Sequence, residues 1–182
     1  MHTDESARGK ATGSSAHQAD GLNSAAGLPR SPLVILIDPA RLTRESLGHL
    51  LHEKAPDLRI ETLSDCSETM AHQPEVPAIV LVNAKMAEIT DPVLKSATVR
   101  LTEIWPGVPR LLISDRADEP VAALAAIQDG WRGFFPATLE VDLLLAAVRL
   151  VISRGIFLPP EVAQHCAALL SSSEFWPHQP PP

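Results

Sequence analysis

Three short apolar runs constrain this chain more than any other feature: Val34-Ile35-Leu36-Ile37-Asp38, Val80-Leu81-Val82-Asn83 and Leu111-Leu112-Ile113-Ser114. Each is apolar at consecutive positions rather than alternate ones, and each stops on a small polar residue. A strand of that kind has to be covered on both faces, which is the environment of a parallel sheet held between two helical layers. Because parallel strands all point the same way, Asp38, Asn83 and Ser114 are expected to converge at the carboxyl edge of such a sheet.

Between Ser31 and about Leu158 strand-like and helix-like patterns alternate. Strands are predicted near residues 33–37, 58–62, 78–82, 110–113 and 133–135. The first helix carries Leu47, Leu50 and Leu51 on one face, and a weakly patterned helix is placed near 66–70. A better marked helix repeats Leu94, Ala97, Leu101, Ile104 and Trp105 at helical spacing and ends at Pro106-Gly107. The next opens near Pro120, carries Val121, Leu124 and Ala125 on one face and stops at Gly130. Five strand–helix pairs of this size imply an open parallel sheet with right-handed crossovers and helices on both faces.

The helix over 139–152 departs from that pattern, since it has two apolar stripes. Val141, Leu144, Leu145, Val148 and Ile152 form one; Leu139, Leu143, Ala146, Ala147 and Leu150 form the other. A helix with two stripes needs two partners. If the first packs on the sheet, the second meets either a short sixth helix, through Val162, Cys166, Leu169 and Leu170, or the same face of a second subunit across a two-fold axis. A homodimer is the expected outcome.

The flanks are read differently. Residues 1–30 contain no Phe, Trp or Tyr and are expected to be a disordered leader, followed by one domain over 31–158, a helix over 159–171 and a disordered proline-rich tail over 172–182. With no secretory pattern and no uncharged run near the ~20 residues that span a bilayer, a cytoplasmic protein without membrane contact is expected. The formal net charge of -7, with scattered basic residues, argues against DNA binding by this chain alone.

Cys66 and Cys166 have no metal-ligand or disulfide-framework spacing and read as thiols, so no metal or cofactor is expected. His49, His52 and Glu53 read as solvent-facing residues of the first helix. No Gly-rich phosphate loop follows the first strand, no nucleophile elbow surrounds Ser114, and no paired titratable groups mark the strand ends. These absences disfavour a dinucleotide fold, a hydrolase and enzymatic activity in general.

Taken in order, Asp38-Pro39-Ala40-Arg41-Leu42-Thr43-Arg44-Glu45-Ser46-Leu47, Pro77-Ala78-Ile79-Val80-Leu81-Val82-Asn83-Ala84-Lys85-Met86, Ser114 and Gly133-Phe134-Phe135-Pro136-Ala137-Thr138 resemble the receiver domain of two-component response regulators. Arg44-Glu45-Ser46-Leu47 and Gly155-Ile156-Phe157-Leu158-Pro159-Pro160-Glu161-Val162 point to the LuxR type, in which a receiver precedes a helix-turn-helix domain. The likeness runs in register from about Leu33 to Val162. It implies a flavodoxin-like, doubly wound five-stranded sheet of order 2-1-3-4-5 with flanking helices, and a site at the switch point between strands one and three.

In that family the site holds an acidic pair that binds magnesium, an aspartate nucleophile, a Thr or Ser, and a lysine. The resemblance places Asp38 and Pro39 at the acidic pair, Asn83 at the nucleophile, Ser114 at the hydroxyl and Ala137 at the lysine. An amide is a poor nucleophile, so no aspartyl phosphate forms at position 83. With one carboxylate and no lysine, magnesium and phosphate lose their main ligands.

Asp38 then reads chiefly as an N-cap-like residue at the strand-to-helix turn. A degenerate pocket of this kind implies a phosphorylation-independent signalling and dimerisation module. It would be either a stand-alone pseudo-receiver or a portion of a LuxR-type transcription regulator. The alternative is an allosteric sensor that takes a small ligand in the volume left by Asn83 and Ala137.

Overall fold

Leu33–Ile37 forms the interior strand β1, and every residue in it is buried. Its neighbours are β2 (Arg59–Leu63) on one side and β3 (Ile79–Lys85) on the other, followed by β4 (Arg110–Ser114) and β5 (Gly133–Pro136). All pairs are parallel and the order is β2-β1-β3-β4-β5, as the resemblance implied. This computed structural model describes residues 31–68, 75–88, 90–116 and 120–171. The expected leader and tail, and the far end of the weak helix at 66–70, lie outside the described residues. Within them, Ser64 to Ser67 forms a bend and turn and Glu68 is helical; the Glu68 carboxylate accepts from Ser64 N at 2.9 Å and Ser64 Oγ at 2.5 Å.

The helices whose full range lies among the described residues are α1 (Arg41–Lys54), α2 (Pro92–Ile104), α3 (Pro120–Gln128), α4 (Val141–Ile152) and α5 (Pro160–Ser171). Side chains alternate across the strands, so the sheet presents an apolar surface on each side. Val34, Leu36, Leu81, Leu111 and Ile113 meet Leu51 of α1 and Leu144, Leu145, Val148 and Val151 of α4. Ile35, Val80, Val82, Leu112 and Phe134 meet Leu94 and Leu101 of α2 and Ala123 and Ala126 of α3. The start of α2 is fixed by Asp91, whose side chain accepts from Val93 N at 2.7 Å, with Pro92 in the first turn.

Three expectations need correction. The helix α3 buries Ala123 and Ala126, not Val121, which is exposed. Its sequence, PVAALAAIQ, is apolar nearly all round, so periodicity could not choose a face. In α4, Ala147 is 1 % exposed and belongs to the sheet-facing side rather than the outer stripe. Finally, α5 packs against α3 and sends Val162 into the core of the α2–α3 layer. It therefore leaves the outer stripe of α4 uncovered. The side chains of Cys166, Leu169 and Leu170 lie outside the described residues.

Both edges of the sheet are closed. At β2, Arg59 pairs with Glu61 at 3.5 Å and Glu75 at 2.5 Å, placing charge where another strand would add. At β5, Phe134 N donates to Phe157 O at 3.1 Å and Phe157 N donates to Arg132 O at 3.0 Å. Among the described residues no helix is long and apolar enough to cross a membrane.

Candidate functional site

Asp38 follows β1 directly and is carried by it into the interior, where the carboxylate has no exposure at all. A buried carboxylate has to find donors. Oδ1 accepts from Ala40 N at 2.8 Å, closing the turn into α1, and Oδ2 accepts from Asn83 Nδ2 at 2.7 Å. The N-cap of α1 is Ala40, so Asp38 stabilises the turn before the helix rather than the helix end itself. The amide of Asn83 thus donates to the acid beside it.

The charge is met by a residue that the sequence reading did not single out. Beyond Asn83 the register of β3 against β4 shifts, and Lys85 takes a φ of 53°. That conformation is uncommon for a residue with a Cβ. It brings Lys85 Nζ to 3.7 Å from Asp38 Oδ1, with the lysine side chain 39 % exposed. Its main chain is tied as well: Lys85 N donates to Asn83 Oδ1 at 3.3 Å, while Lys85 O accepts from Ser114 Oγ at 2.9 Å and Asp115 N at 3.0 Å. The expectation that no lysine serves this pocket is corrected: the cation comes from the end of β3, not from position 137.

The remaining predicted residues divide. Ser114 is buried, but its hydroxyl is occupied between Lys85 O and Arg116 N, which donates to it at 3.1 Å. Pro39 and Ala137 are exposed, and Ala137 N donates to Ser114 O at 3.0 Å. His49, His52 and Glu53 are exposed, as expected. Two hollows open from Asn83. One of about 730 Å³ runs between the β2 turn and the start of α2, past Pro39, Cys66, Asp91 and Arg100. Another of about 580 Å³ lies between α1 and α4 and includes Ala137 and Leu139. Burial pushes the Cys66 thiol in the first hollow up to about 11, so it is protonated and inert at neutral pH.

Magnesium does not suit this donor set. It favours several oxygen ligands, and here one carboxylate is already engaged by an amide, a backbone N–H and an ammonium. Among the described residues no three His, Cys, Asp or Glu side chains come together as metal ligands would.

The strand order and the flanking helices are found together in solved response regulators. A LuxR family DNA-binding response regulator from Silicibacter pomeroyi superposes with a TM-score of 0.58 at 26 % identity, over 71 % of this chain and 98 % of that one. The fold is of the receiver type. A second LuxR family two-component response regulator, from Aurantimonas sp. SI85-9A1, shares the fold with a TM-score of 0.64 at 19 % identity, over 77 % of this chain and 98 % of that one. In sequence the chain is 28 % identical to the transcriptional regulatory protein LnrK of Bacillus subtilis over 130 residues, 71 % of this chain and 57 % of that protein. The chain therefore spans little more than half the length of that relative. No family model matches it.

The network ranks the contributions of its members. Asn83→Ala leaves a fully buried carboxylate oxygen without a donor and should cost about 1–3 kcal/mol. Lys85→Met removes a half-exposed ion pair that water partly screens, and should cost less than about 1 kcal/mol. Urea unfolding of the two variants measures both; a larger loss for Lys85→Met would overturn the assigned geometry.

Proposed function

We propose that this receiver domain signals by protein contact, independently of phosphorylation and without catalysis, as a dimerisation module of a LuxR-type transcription regulator. The observation that carries the reading is the closed cluster at Asp38. An amide stands where the family's nucleophile would be, and Lys85 and Asn83 already satisfy the acid. A carboxylate can attack phosphorus to form an acyl phosphate, whereas an amide oxygen carries no charge and forms no such intermediate. The regulatory context rests on the likeness to LnrK and to the LuxR family structures.

Incubation with acetyl phosphate and magnesium is expected to leave the intact mass unchanged. A stoichiometric gain of one phosphoryl group would refute phosphorylation independence.

Dimerisation is supported by the outer face of α4. Leu143 and Leu150 are 42 % and 45 % exposed, with Leu139 and Ala146 on the same side. Leu50 of α1 lines the same groove as Leu139. The ion pairs Lys54–Asp142 at 2.8 Å and Asp57–Arg149 at 3.0 Å link α1 and its following turn to α4, giving the apolar face charged neighbours. Such a face usually marks an interface.

Roughly half of the ~1.5–3 kcal/mol available from burying each leucine remains to be gained. Four leucines across a two-fold axis then contribute ~3–6 kcal/mol, which meets only the low end of an association cost of ~4–15 kcal/mol. A weak, concentration-dependent dimer follows. Sedimentation should show it at high micromolar concentration, and Leu143→Glu with Leu150→Glu should give monomer with unchanged helical circular dichroism. A wild-type monomer under those conditions would rule the interface out.

A second reading, a small-ligand sensor, draws on the two hollows that meet at Asn83. It predicts a saturable rise in melting temperature with a small metabolite in a thermal-shift screen. That rise should be lost on Asn83→Ala.

A further inference from the structure

The opposite pole of the sheet gathers positive charge without a partner for it. Arg110 opens β4 and is only 9 % exposed. Its Nη1 donates to Thr98 O at 3.0 Å and to Thr102 Oγ, its Nη2 reaches Gly130 O at 3.5 Å, and the guanidinium lies 5.8 Å from the centre of the Trp131 ring. Every acceptor is neutral. Arg110 Nε and Trp131 Nε1 are both buried without a hydrogen-bond partner. No carboxylate among the described residues lies within ion-pair distance, in a chain whose formal net charge is -7. A buried cation left in that state is costly unless something anionic joins it.

Beside it is a cavity of about 140 Å³ whose lining includes Thr102, Gly107, Arg110, Gly130, Arg132 and Arg154. Arg132 and Arg154 are exposed and neither pairs with a carboxylate among the described residues; Arg154 Nη1 only reaches Gly107 O, at 3.4 Å. The cavity lies where three left-handed turns come together, at Gly107 (φ 77°), Gly130 (φ 86°) and Arg154 (φ 70°). At Gly130 a Cβ would come to 3.2 Å from Arg110 Nη2, so the glycine lets the main chain sit against the guanidinium. Glu103 and Asp129 line an adjoining groove that shares Thr102 with the cavity, and among the described residues neither carboxylate pairs with Arg110, Arg132 or Arg154.

We propose that this pole is a second ligand site, for a phosphate-class oxyanion, independent of the cluster at Asp38. Arginine presents its donors as a planar fork that matches phosphate oxygens two at a time; Arg132 and Arg154 offer such forks at the cavity, while Arg110, its Nη donors held by Thr98, Thr102 and Gly130, contributes its buried charge. At about 30 Å³ per water, the cavity holds an inorganic phosphate and little more. The ligand is either the free ion or the phosphate group of a small metabolite whose remainder lies in solvent.

The test titrates inorganic phosphate, a simple phosphate monoester and acetate into the whole chain at constant ionic strength, following melting temperature and binding heat. Phosphate or the monoester is expected to raise the melting temperature saturably below roughly 10 mM. A monoester that binds at least as well as phosphate assigns a metabolite group; binding of phosphate alone assigns the free ion.

Arg132→Ser with Arg154→Ser, both exposed, should leave the unliganded melting temperature unchanged and weaken binding by about tenfold or more. Arg110→Met should abolish binding, and if that variant does not fold the double variant still decides. The proposal is overturned if phosphate gives no saturable effect in that range, if acetate reproduces it, or if the double variant binds as tightly as the wild type.

Discussion

The burial of β1 on both faces is the constraint from which the rest of the domain follows. A strand with no exposed residue needs one helical layer above it and another below, and α1 with α4, and α2 with α3, supply them. The same burial draws in whatever follows the strand. Asp38 is therefore interior before it has any function, and its carboxylate sets a condition that neighbouring strand ends must meet. The register shift in β3 and the left-handed Lys85 are how this chain meets it. An internal ammonium and an amide do what the family's aspartates would leave to an external cation.

Much of this architecture is legible in the residues. The runs at 34–37, 80–82 and 111–113 contain no polar interruption, so a doubly covered parallel sheet is the arrangement that suits them, and the observed strands extend those runs by one residue in β1, two in β4 and four in β3. The two-sided character of α4 is legible as well, because its stripes repeat over three turns. Ala147 was misplaced because it lies three residues after Leu144 and four before Val151, on the buried side, while its small side chain gives a weak hydrophobic signal. The same weakness hid the buried face of the alanine-rich α3.

The functional residues that escaped do so for a different reason. Lys85 matters through a positive φ and a bulge, and neither leaves a mark on a hydrophobic pattern. A lysine two residues beyond a strand-ending Asn was the available signal. Arg110 was equally visible, as a lone charge opening an otherwise apolar strand, but its meaning depends on Thr98, Thr102 and Trp131, which lie apart in sequence. The two poles end up electrostatically opposite in kind. The carboxyl end closes its charge internally, whereas the amino end leaves a guanidinium facing only neutral acceptors.

The pairing of Phe157 with β5 has a consequence for the order in which the chain becomes safe from its own kind. The β2 edge carries its guarding charges in the strand itself and in the loop before β3, so it is protected as soon as that hairpin-length segment exists. The β5 edge is different: its cover comes from a residue beyond α4, and α5 then anchors that cover through Val162 against the neighbouring layer. During synthesis the last strand must therefore wait, unguarded, until a full helix and the turn after it have emerged. A message or a protease that stops the chain between α4 and Phe157 would leave an intact sheet with one adhesive border, prone to stacking strand on strand.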